Sequence, residues 1–340
     1  MTKIVVDAMG SDEYPVPDVV GSVLAAREYG VEIILVGDEA KIRPVLAAQN
    51  PGSLPISIVH APEMLTMEDK GMALVLKARR ATSKNSMAVG MDLVKNGQAD
   101  AFVTAGNTGA AMVTAYFRLG TIEGVDLPAL APVFPTATGS CVVLDIGANP
   151  DVKAENLYQF AILGSIYAEK VRGAKNPKVG LISNGEDAGK GSHLVKEAYP
   201  LLAGAGLNFY GNVEGKEVIG GKVDVAVTDG FTGNVMLKSS EAVAKLIVDK
   251  IKEAIKSGGP LALLGGMLVK PALGKIKKLL DPSEEGAAPL LGVNGLVFIG
   301  HGRSDEIAIK NAVRVAKNAV DSQVLEAMKA GIKEKMPKQA

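Results

Sequence analysis

Four short turns rich in glycine, asparagine, threonine and aspartate hold the residues of this sequence best suited to chemistry. They are Ala105-Gly106-Asn107-Thr108-Gly109, Asp145-Ile146-Gly147-Ala148-Asn149, Ser183-Asn184-Gly185-Glu186-Asp187 and Asp229-Gly230-Phe231-Thr232-Gly233-Asn234. Glycines let the backbone approach a ligand closely, and free N–H groups at helix starts attract anions. Each turn follows an apolar run, so in an open α/β sheet all four would share one edge. The pattern predicts a site for a phosphate-sized anion; well-capped structural loops are the alternative.

The polar side chains in and beside these turns are the candidate site residues. The candidates for phosphate and substrate binding are Asn107, Thr108, Asn149, Asn184, Thr232 and Asn234. Lys190, on a glycine loop, is placed to neutralise a phosphate or a developing oxyanion, unless it is a solvated loop lysine. His301 could donate to phosphate or assist a leaving thiolate, or serve as a structural histidine. Asp229 and Asp7 could each orient a lysine or cap a turn.

Composition and motifs exclude several function classes. Lys plus Arg equals Asp plus Glu at 37 each, Trp is absent, and aromatic residues make only 4%, so nucleic-acid binding is not expected. The glycine fingerprints of dinucleotide and P-loop proteins are missing, as are the H-E-x-x-H and G-x-S-x-G motifs. His60, His193 and His301 are far apart in sequence and Cys141 is the only cysteine. We therefore expect no cofactor, no disulfide and no metal, with Cys141 as a buried small hydrophobe more often than an acyl-carrying nucleophile.

Short Val- and Ile-rich runs alternate with helical patterns, which predicts an α/β fold with a mostly parallel sheet in a single domain, residues 1–340. The predicted strands are Lys3–Asp7, Glu32–Val36, Ile56–His60, Ala101–Thr104, Val142–Ile146, Val179–Ser183, Val223–Thr228 and Leu296–Ile299. The predicted helices are Pro17–Glu28, Ser86–Lys95, Asn156–Val171, Leu194–Leu202, Val235–Ile255 and Asp305–Met328. The first apolar run predicts a strand rather than a signal peptide, and no run is long enough to span a membrane. The expected compartment is the cytosol.

The segment Gly258–Leu280 differs from the rest of the chain. Its apolar positions Leu261, Leu264 and Leu268 fall at helical spacing, and its basic positions are Lys270, Lys275, Lys277 and Lys278. The pattern predicts two short amphipathic helices, broken at Lys270-Pro271. Such a surface suits an anionic membrane or an acidic carrier protein; a helical hairpin buried between subunits is the alternative. Arg79, Arg80 and Lys84 form a second candidate landing site for a carrier.

Several longer runs together resemble the bacterial phosphate acyltransferase family (PlsX). They are Val6-Asp7-Ala8-Met9-Gly10, Ala105-Gly106-Asn107-Thr108-Gly109-Ala110, Leu144-Asp145-Ile146-Gly147-Ala148-Asn149, Thr228-Asp229-Gly230-Phe231-Thr232-Gly233-Asn234-Val235, Ala288-Pro289-Leu290-Leu291-Gly292-Val293-Asn294-Gly295 and Gly300-His301-Gly302. They occur in the family's order over nearly the whole chain. Small departures fall at Ser11, Asp187 and Ala287, where the family usually has Gly, Glu and Gly.

The resemblance implies a three-layer α/β/α fold, isocitrate/isopropylmalate dehydrogenase-like and related to phosphotransacetylases, in a homodimer with a protruding helical tip at residues 258–280. It implies conversion of acyl–acyl carrier protein and inorganic phosphate to acyl phosphate, the first step of phosphatidic acid synthesis in bacteria. A membrane glycerol-3-phosphate acyltransferase would consume the product, so peripheral membrane association is expected. The lysine of the family's Gly-Glu-Glu loop falls on Lys190.

The sequence is also compatible with three other functions. A phosphotransacetylase that uses acyl-CoA would share the fold and the chemistry. An isocitrate-type dehydrogenase would need a cluster of acidic metal ligands with arginines for a dicarboxylate. A non-catalytic scaffold would bind the acyl carrier or the membrane without phosphate-dependent loss of a thioester.

Overall fold

A computed structural model describes residues 1–80, 82–279 and 281–336, without the side chains of residues 275–278 and 282. The first of its two sheets contains β1 Lys3–Asp7, β2 Glu32–Gly37, β3 Ile56–His60, β4 Ala101–Thr104, β5 Ala129–Leu130, β11 Ala287–Leu291 and β12 Leu296–Gly300. Their order is β3-β2-β1-β4-β12-β11-β5. The first five strands in this order are parallel, and β11 is antiparallel to both of its neighbours. The carboxyl ends of five strands therefore lie on one edge.

The second sheet contains β6 Val133–Thr136, β7 Gly139–Leu144, β8 Val179–Ile182, β9 Phe209–Val213 and β10 Val225–Val227. Their order is β6-β7-β10-β8-β9, with β6 antiparallel to β7 and the other four strands parallel. The expectation of one mostly parallel sheet is thus corrected to two sheets, each dominated by parallel strands.

Twelve helices among the described residues cover the sheets or extend from them. They are α1 Val16–Tyr29, α2 Glu39–Ala48, α3 Gly71–Arg79, α4 Ser86–Lys95, α5 Thr108–Leu119, α6 Ala154–Lys170, α7 His193–Ala203, α8 Gly215–Gly220, α9 Gly230–Ser257, α10 Gly259–Leu279, α11 Glu306–Asp321 and α12 Val324–Lys335. A single 3-10 turn, Pro282–Glu284, follows α10.

Alternation along the strands produces three layers. Val6 of β1 and Leu144 of β7 belong to one hydrophobic cluster, which also takes in side chains of α1, α6, α11 and α12. Val5 and Val143, one position earlier in the same strands, belong to the other cluster, with side chains of α3, α4 and α5. Successive side chains of a strand point to opposite faces, so each cluster is one face of both sheets. The result is an α/β/α sandwich in which both cores run across the two sheets.

The two sheets are joined where β5 ends. The Leu130 N–H donates to Asp145 Oδ1 at 3.1 Å, and the Ile146 N–H donates to the Leu130 carbonyl oxygen at 3.3 Å. The chain then continues from β5 of the first sheet into β6 of the second within three residues. These contacts hold the carboxyl end of β7 against the edge of the first sheet.

Two predictions about helices are wrong. α10 continues through Pro271, where the sequence predicted a break. Proline leaves the carbonyl of Met267 without its intrahelical donor, and because Met267 is 70% exposed, water can take that place. The predicted long C-terminal helix is divided into α11 and α12 at Gln323, which has a left-handed backbone (φ 53°).

α9 and α10 form a hairpin that leaves much of its apolar surface exposed. α9 has 28 residues, about 42 Å at the helical rise, and buries only glycines of its first turn. Leu261, Leu264 and Leu268 of α10 are all more than half exposed. The backbone at Lys275, Lys277 and Lys278 belongs to α10, but these side chains, and Leu280 entirely, lie outside the described residues. No described helix has the length and apolar composition needed to cross a bilayer.

α1 carries a carboxyl group into the core. Asp18 is fully buried; its Oδ2 accepts from the Ser11 hydroxyl at 2.6 Å, while its Oδ1 has no hydrogen-bond partner among the described residues. Burial raises the pKa of Asp18 from its ordinary value to about 7, with a further contribution from the neighbouring carboxyl of Asp7. The folded protein therefore binds a proton at Asp18 over a pH range in which the unfolded chain does not.

We predict that Asp18→Asn makes the protein less sensitive to rising pH. Between about pH 4 and pH 7 only the folded state holds this proton, so the free energy of unfolding of the wild type falls as pH rises, and it levels off above pH 7. The free energy of unfolding of Asp18→Asn, minus that of the wild type, should therefore increase by roughly 2 kcal/mol from pH 5 to pH 8. Urea unfolding at both pH values measures this difference, with the exposed Asp151→Asn as the control. If the difference between variant and wild type is the same at both pH values, Asp18 is ionised in the folded state over this whole pH range.

Candidate functional site

Three turns at the carboxyl edge of the first sheet are in direct contact. A Cβ atom on Gly10, after β1, would lie 2.9 Å from the Gly106 nitrogen in the turn after β4. The Asp12 N–H donates to the carbonyl oxygen of Gly302, after β12, at 2.7 Å. Glycine at position 10 is therefore a packing requirement, since any side chain would separate the β1 and β4 turns.

Asp7 ties β1 to β4 beneath these turns. Its Oδ2 accepts from the Thr104 hydroxyl at 2.8 Å and its Oδ1 accepts from the Met9 N–H at 3.1 Å. Burial raises the pKa of Asp7, and hydrogen bonds from Ser86, Thr104 and Met9 oppose the rise. Of the two roles open from the sequence, these contacts match the cap of a turn.

The side chain of Asn107 is hydrogen-bonded to the protein backbone and is not available to a ligand. Its Oδ1 accepts from the Ala110 N–H and caps α5, while its Nδ2 donates to the carbonyl oxygens of Thr66 (2.9 Å) and Asp69 (3.1 Å). Both amide hydrogens are thus committed to the loop that precedes α3. Thr108, the first residue of α5, is exposed on this edge.

A second group of turns follows β7 and β10 of the other sheet. The Gly230 N–H donates to the Asn149 carbonyl oxygen at 2.9 Å, and a Cβ atom on Gly233 would lie 1.9 Å from the Asp145 carbonyl oxygen. The start of α9 is therefore pressed against the β7 turn at a distance that only glycine permits. The Nδ2 of Asn149 donates to the Pro128 carbonyl and to Asp145 Oδ2, so this amide is structural as well.

Asp229 is the N-cap of α9. Its Oδ1 accepts from the Thr232 N–H and its Oδ2 accepts from the Thr232 hydroxyl, both at 2.8 Å. The carboxylate therefore holds the helix start, and the expected contact with Lys190 is not present among the described residues. Asn234, one turn into α9, is exposed beside Gly147 of the β7 turn.

Lys190 lies in the loop after β8. A Cβ on Gly185 would be 2.9 Å from Lys190 Cγ, so the lysine stem packs over this glycine, and the residue is exposed without an ion pair to a described residue. Asn184 accepts from the Gly191 N–H through Oδ1 at 2.9 Å and closes the loop. The ammonium group is free to reach an anion at the carboxyl edge of the second sheet.

His301 lies where the two groups of turns meet. Partial burial of the imidazole lowers its pKa, and the nearby Arg303 and Lys238 lower it further, while Glu241 and Asp12 oppose them. Lys238 and Glu241 belong to α9, and they form an ion pair at 3.2 Å. Side chains from the turns after β1 and β12 and from α9 therefore lie near one another at the junction of the sheets, and this environment favours the uncharged form of His301.

Other candidate chemistry has less support. Cys141 is buried in β7, and burial followed by the charge of Asp224 raises the pKa of its thiol to about 12, so it is not a nucleophile at neutral pH. Within residues 1–80, 82–279 and 281–336, no group of His, Cys, Asp and Glu has the arrangement of a metal site.

Sequence reasoning gave Asp145 no role of its own, and it did not identify Asp12, Arg303 or Lys238 as members of this region. Asp145 directly follows an apolar strand, the same signal that marked Asp7 and Asp229, so its position could have been found. Lys238 lies inside a long helix, and nothing in the sequence indicates that this helix passes beside His301.

The arrangement can hold an anion next to an acyl group. Asn107 and Asn149 have no free amide hydrogen, and the N–H groups of Gly230, Thr232 and Gly233 are already bonded to Asn149 and Asp229. Among the described residues, the donors left at the helix starts are the N–H groups of Thr108, Gly109 and Phe231, together with exposed side chains. Those side chains are Thr108, Asn234, Lys190 and His301. Cationic and N–H donors at this edge suit a reaction in which the nucleophile is already an anion.

Comparison with known proteins agrees with this chemistry. Residues 2–327 match the family model described as fatty acid synthesis protein. The chain is 47% identical over 333 residues to the phosphate acyltransferase of Elusimicrobium minutum, covering 98% of this chain and 96% of that protein. It is 46% identical over 331 residues to the phosphate acyltransferase of Acidobacterium capsulatum, with 97% of each chain covered.

Solved structures with a similar fold include a phosphotransacetylase from Streptococcus pyogenes, with a TM-score of 0.60, 18% identity, and 96% of this chain and 94% of that chain covered. A 4-hydroxythreonine-4-phosphate dehydrogenase from Klebsiella pneumoniae aligns with a TM-score of 0.53 at 14% identity, over 94% of this chain and 98% of that chain. These likenesses confirm the predicted α/β/α fold related to phosphotransacetylases.

Proposed function

The chain belongs to the fatty acid synthesis protein family and is a phosphate acyltransferase, and on that premise we propose that its acyl donor is acyl–acyl carrier protein. The products are then acyl phosphate and the free carrier thiol. The observation that supports this reaction most is the junction at His301, where the turn after β12 faces Lys238 and Glu241 of α9. The cationic and N–H groups at this junction suit an anionic nucleophile.

Phosphate is the nucleophile in this mechanism. One phosphate oxygen attacks the thioester carbonyl carbon, the carbonyl electrons move onto oxygen, and collapse of this tetrahedral intermediate expels the carrier thiolate. At neutral pH much of the phosphate is already dianionic, so the protein needs no strong general base. Its tasks are to hold phosphate beside the thioester and to stabilise the oxyanion.

We assign phosphate binding to the backbone N–H groups of Thr108 and Gly109 in α5 and of Phe231 in α9, with the side chains of Thr108 and Asn234 as further donors. Asn107, Asn149, Asn184 and Thr232 act indirectly, since their contacts shape the turns. Lys190 supplies the mobile positive charge for phosphate or the oxyanion. His301, whose pKa is lowered, serves as a neutral N–H donor to phosphate or the departing sulfur rather than as an imidazolium acid.

The α9–α10 hairpin is proposed to attach the enzyme peripherally to an anionic membrane. Leu261, Leu264 and Leu268 expose an apolar surface that lies along one helix, and Lys270 follows on the same helix. An apolar helix face flanked by lysines binds the interface of an anionic bilayer without crossing it. Delivery of acyl phosphate to a membrane glycerol-3-phosphate acyltransferase would follow from that location. A homodimer remains part of the proposal through the family resemblance.

The first test is the reaction itself. Incubation with palmitoyl–acyl carrier protein and labelled phosphate should form hydroxylamine-sensitive acyl phosphate and one free carrier thiol for each acyl phosphate. Palmitoyl-CoA in place of the carrier thioester should react much more slowly. Equal rates with both donors would favour the acyl-CoA enzyme, and carrier binding without thioester loss would favour a scaffold.

We predict that Lys190→Ala lowers turnover by about 10²–10³-fold, since removal of one group that stabilises an oxyanion typically costs that much. The thermal unfolding midpoint should not change, because Lys190 is exposed and makes no ion pair with a described residue. Lys196→Ala, an exposed lysine in the next helix, is the matched control and should retain full turnover. Near-normal turnover in a folded Lys190→Ala protein would remove this lysine from the mechanism.

The membrane proposal predicts that Leu264→Glu with Leu268→Glu reduces binding to anionic phosphatidylglycerol vesicles by about tenfold or more, because two exposed leucines no longer enter the interface. Co-sedimentation measures the bound fraction. The control pair is Leu201→Glu with Ile219→Glu, which changes exposed apolar residues outside the hairpin. Equal vesicle binding by both pairs would reject the hairpin as the anchor.

A further inference from the structure

One face of α3 exposes apolar and basic side chains together. Met72 is 72% exposed and Leu76 is 61% exposed, while Leu74 and Ala78 are buried. Residues four apart lie on the same side of a helix, so Met72, Leu76 and Arg80 are successive members of one row, with Arg79 beside them. We name this surface the α3 stripe; it consists of Met72, Leu76, Arg79 and Arg80.

The α3 stripe lies in a segment of the sequence whose charged residues are all basic. Residues 70–84 include five basic residues and no acidic residue. Lys77 forms an ion pair with Asp69, whereas Arg79, Arg80 and Lys84 form none with described residues. Most other paired lysines of the molecule have acidic partners within one helical turn. The stripe therefore has positive charge to offer an external partner.

Aromatic side chains of α5 enlarge this surface. The Arg79 guanidinium lies over the Phe117 ring, 5.9 Å from its centroid, and Phe117 packs edge-to-face on Tyr116 at 5.6 Å. Both rings are more than 40% exposed. Arginine on an exposed aromatic ring beside Met and Leu has the composition that interfaces favour, rather than that of a solvated helix face.

The stripe is physically connected to the proposed phosphate site. Asn107, in the turn after β4, donates to the carbonyls of Thr66 and Asp69 in the loop that leads into α3. Leu74, on the inner side of α3, lies 3.8 Å from the Cβ position of Gly109 in the first turn of α5. A partner seated on α3 would thus hold a flexible thioester arm at the edge where phosphate binds.

We infer that the α3 stripe is the docking surface for the acyl carrier protein, an inference that rests on the proposed function. The carrier is acidic, and an acidic helix with apolar side chains complements Met72 and Leu76 followed by Arg79 and Arg80, which form no ion pair with described residues. The hairpin lysines are the other candidate surface from the sequence. The stripe is favoured because its supporting loop is hydrogen-bonded to the β4 turn itself.

The test is the double variant Arg79→Glu with Arg80→Glu, assayed with palmitoyl–acyl carrier protein and labelled phosphate. KM for the carrier substrate should rise about tenfold or more, with kcat within about twofold and KM for phosphate unchanged. The matched control is Lys170→Glu with Lys175→Glu, which makes the same change in net charge at exposed positions that precede β8, at the opposite end of this strand from its site turn. Its KM values should equal those of the wild type.

A second variant separates docking from loss of folding. Leu76→Ser replaces one exposed side chain and should weaken carrier binding, measured by titration calorimetry, without lowering the thermal unfolding midpoint. If the wild type forms acyl phosphate but the α3 variants match the control pair, the docking inference is wrong and the proposed function stands. If the wild type forms none, the proposed function fails. If the α3 variants change the sedimentation coefficient instead of the carrier KM, the stripe is a contact between copies of this chain.

Discussion

The buried carboxylate of Asp145 is the interaction on which the geometry of the site depends. Its Oδ1 accepts from the N–H groups of Leu130 and Ala148, and its Oδ2 accepts from the N–H and the side-chain amide of Asn149. Burial raises the pKa of Asp145, and these donors oppose the rise. All four partners are N–H donors, so the ionised form satisfies each of them. Because Leu130 belongs to one sheet and Asp145 follows a strand of the other, this single group sets the distance between the two sheets.

Close backbone packing also fixes the start of α9 against the β7 turn. Gly233 lies against the Asp145 carbonyl so closely that a Cβ would overlap it, and Gly230 donates to Asn149. The first turn of α9 is therefore fixed relative to the β7 turn, and the rest of the helix carries Lys238 and Glu241 to His301. Backbone contacts thus fix the positive end of α9 beside the β7 turn, and the Asp145 carboxylate links that turn to the first sheet.

The sequence predicted the parts of this structure that depend on local patterns. β1, β3, β4 and α4 have the predicted bounds, since each is a continuous apolar run or a capped amphipathic segment. The antiparallel strands β5, β6 and β11 were missed, because they are short and contain proline or alanine, and only pairing with distant strands makes them extended. For the same reason the division into two sheets could not be read from the chain. The sequence also indicated the turns that follow the strands, but it could not tell which side-chain amides in them would be hydrogen-bonded to neighbouring carbonyls.

Internal hydrogen bonds of the side-chain amides limit which groups in the turns can contact a ligand. With Asn107 and Asn149 committed to backbone carbonyls, the proposed anion site would rely chiefly on main-chain N–H groups whose directions the glycine-rich turns determine. Such donors cannot rotate to accommodate an acceptor of another shape, so they favour a compact oxyanion over an extended carboxylate chain. The acyl group has no comparable rigid partner among the described turns, and its donor must be positioned from outside. The proposed phosphate site beside the α3 stripe would suit a thioester delivered by a carrier, since the carrier's flexible arm would supply the movement that the rigid turns lack.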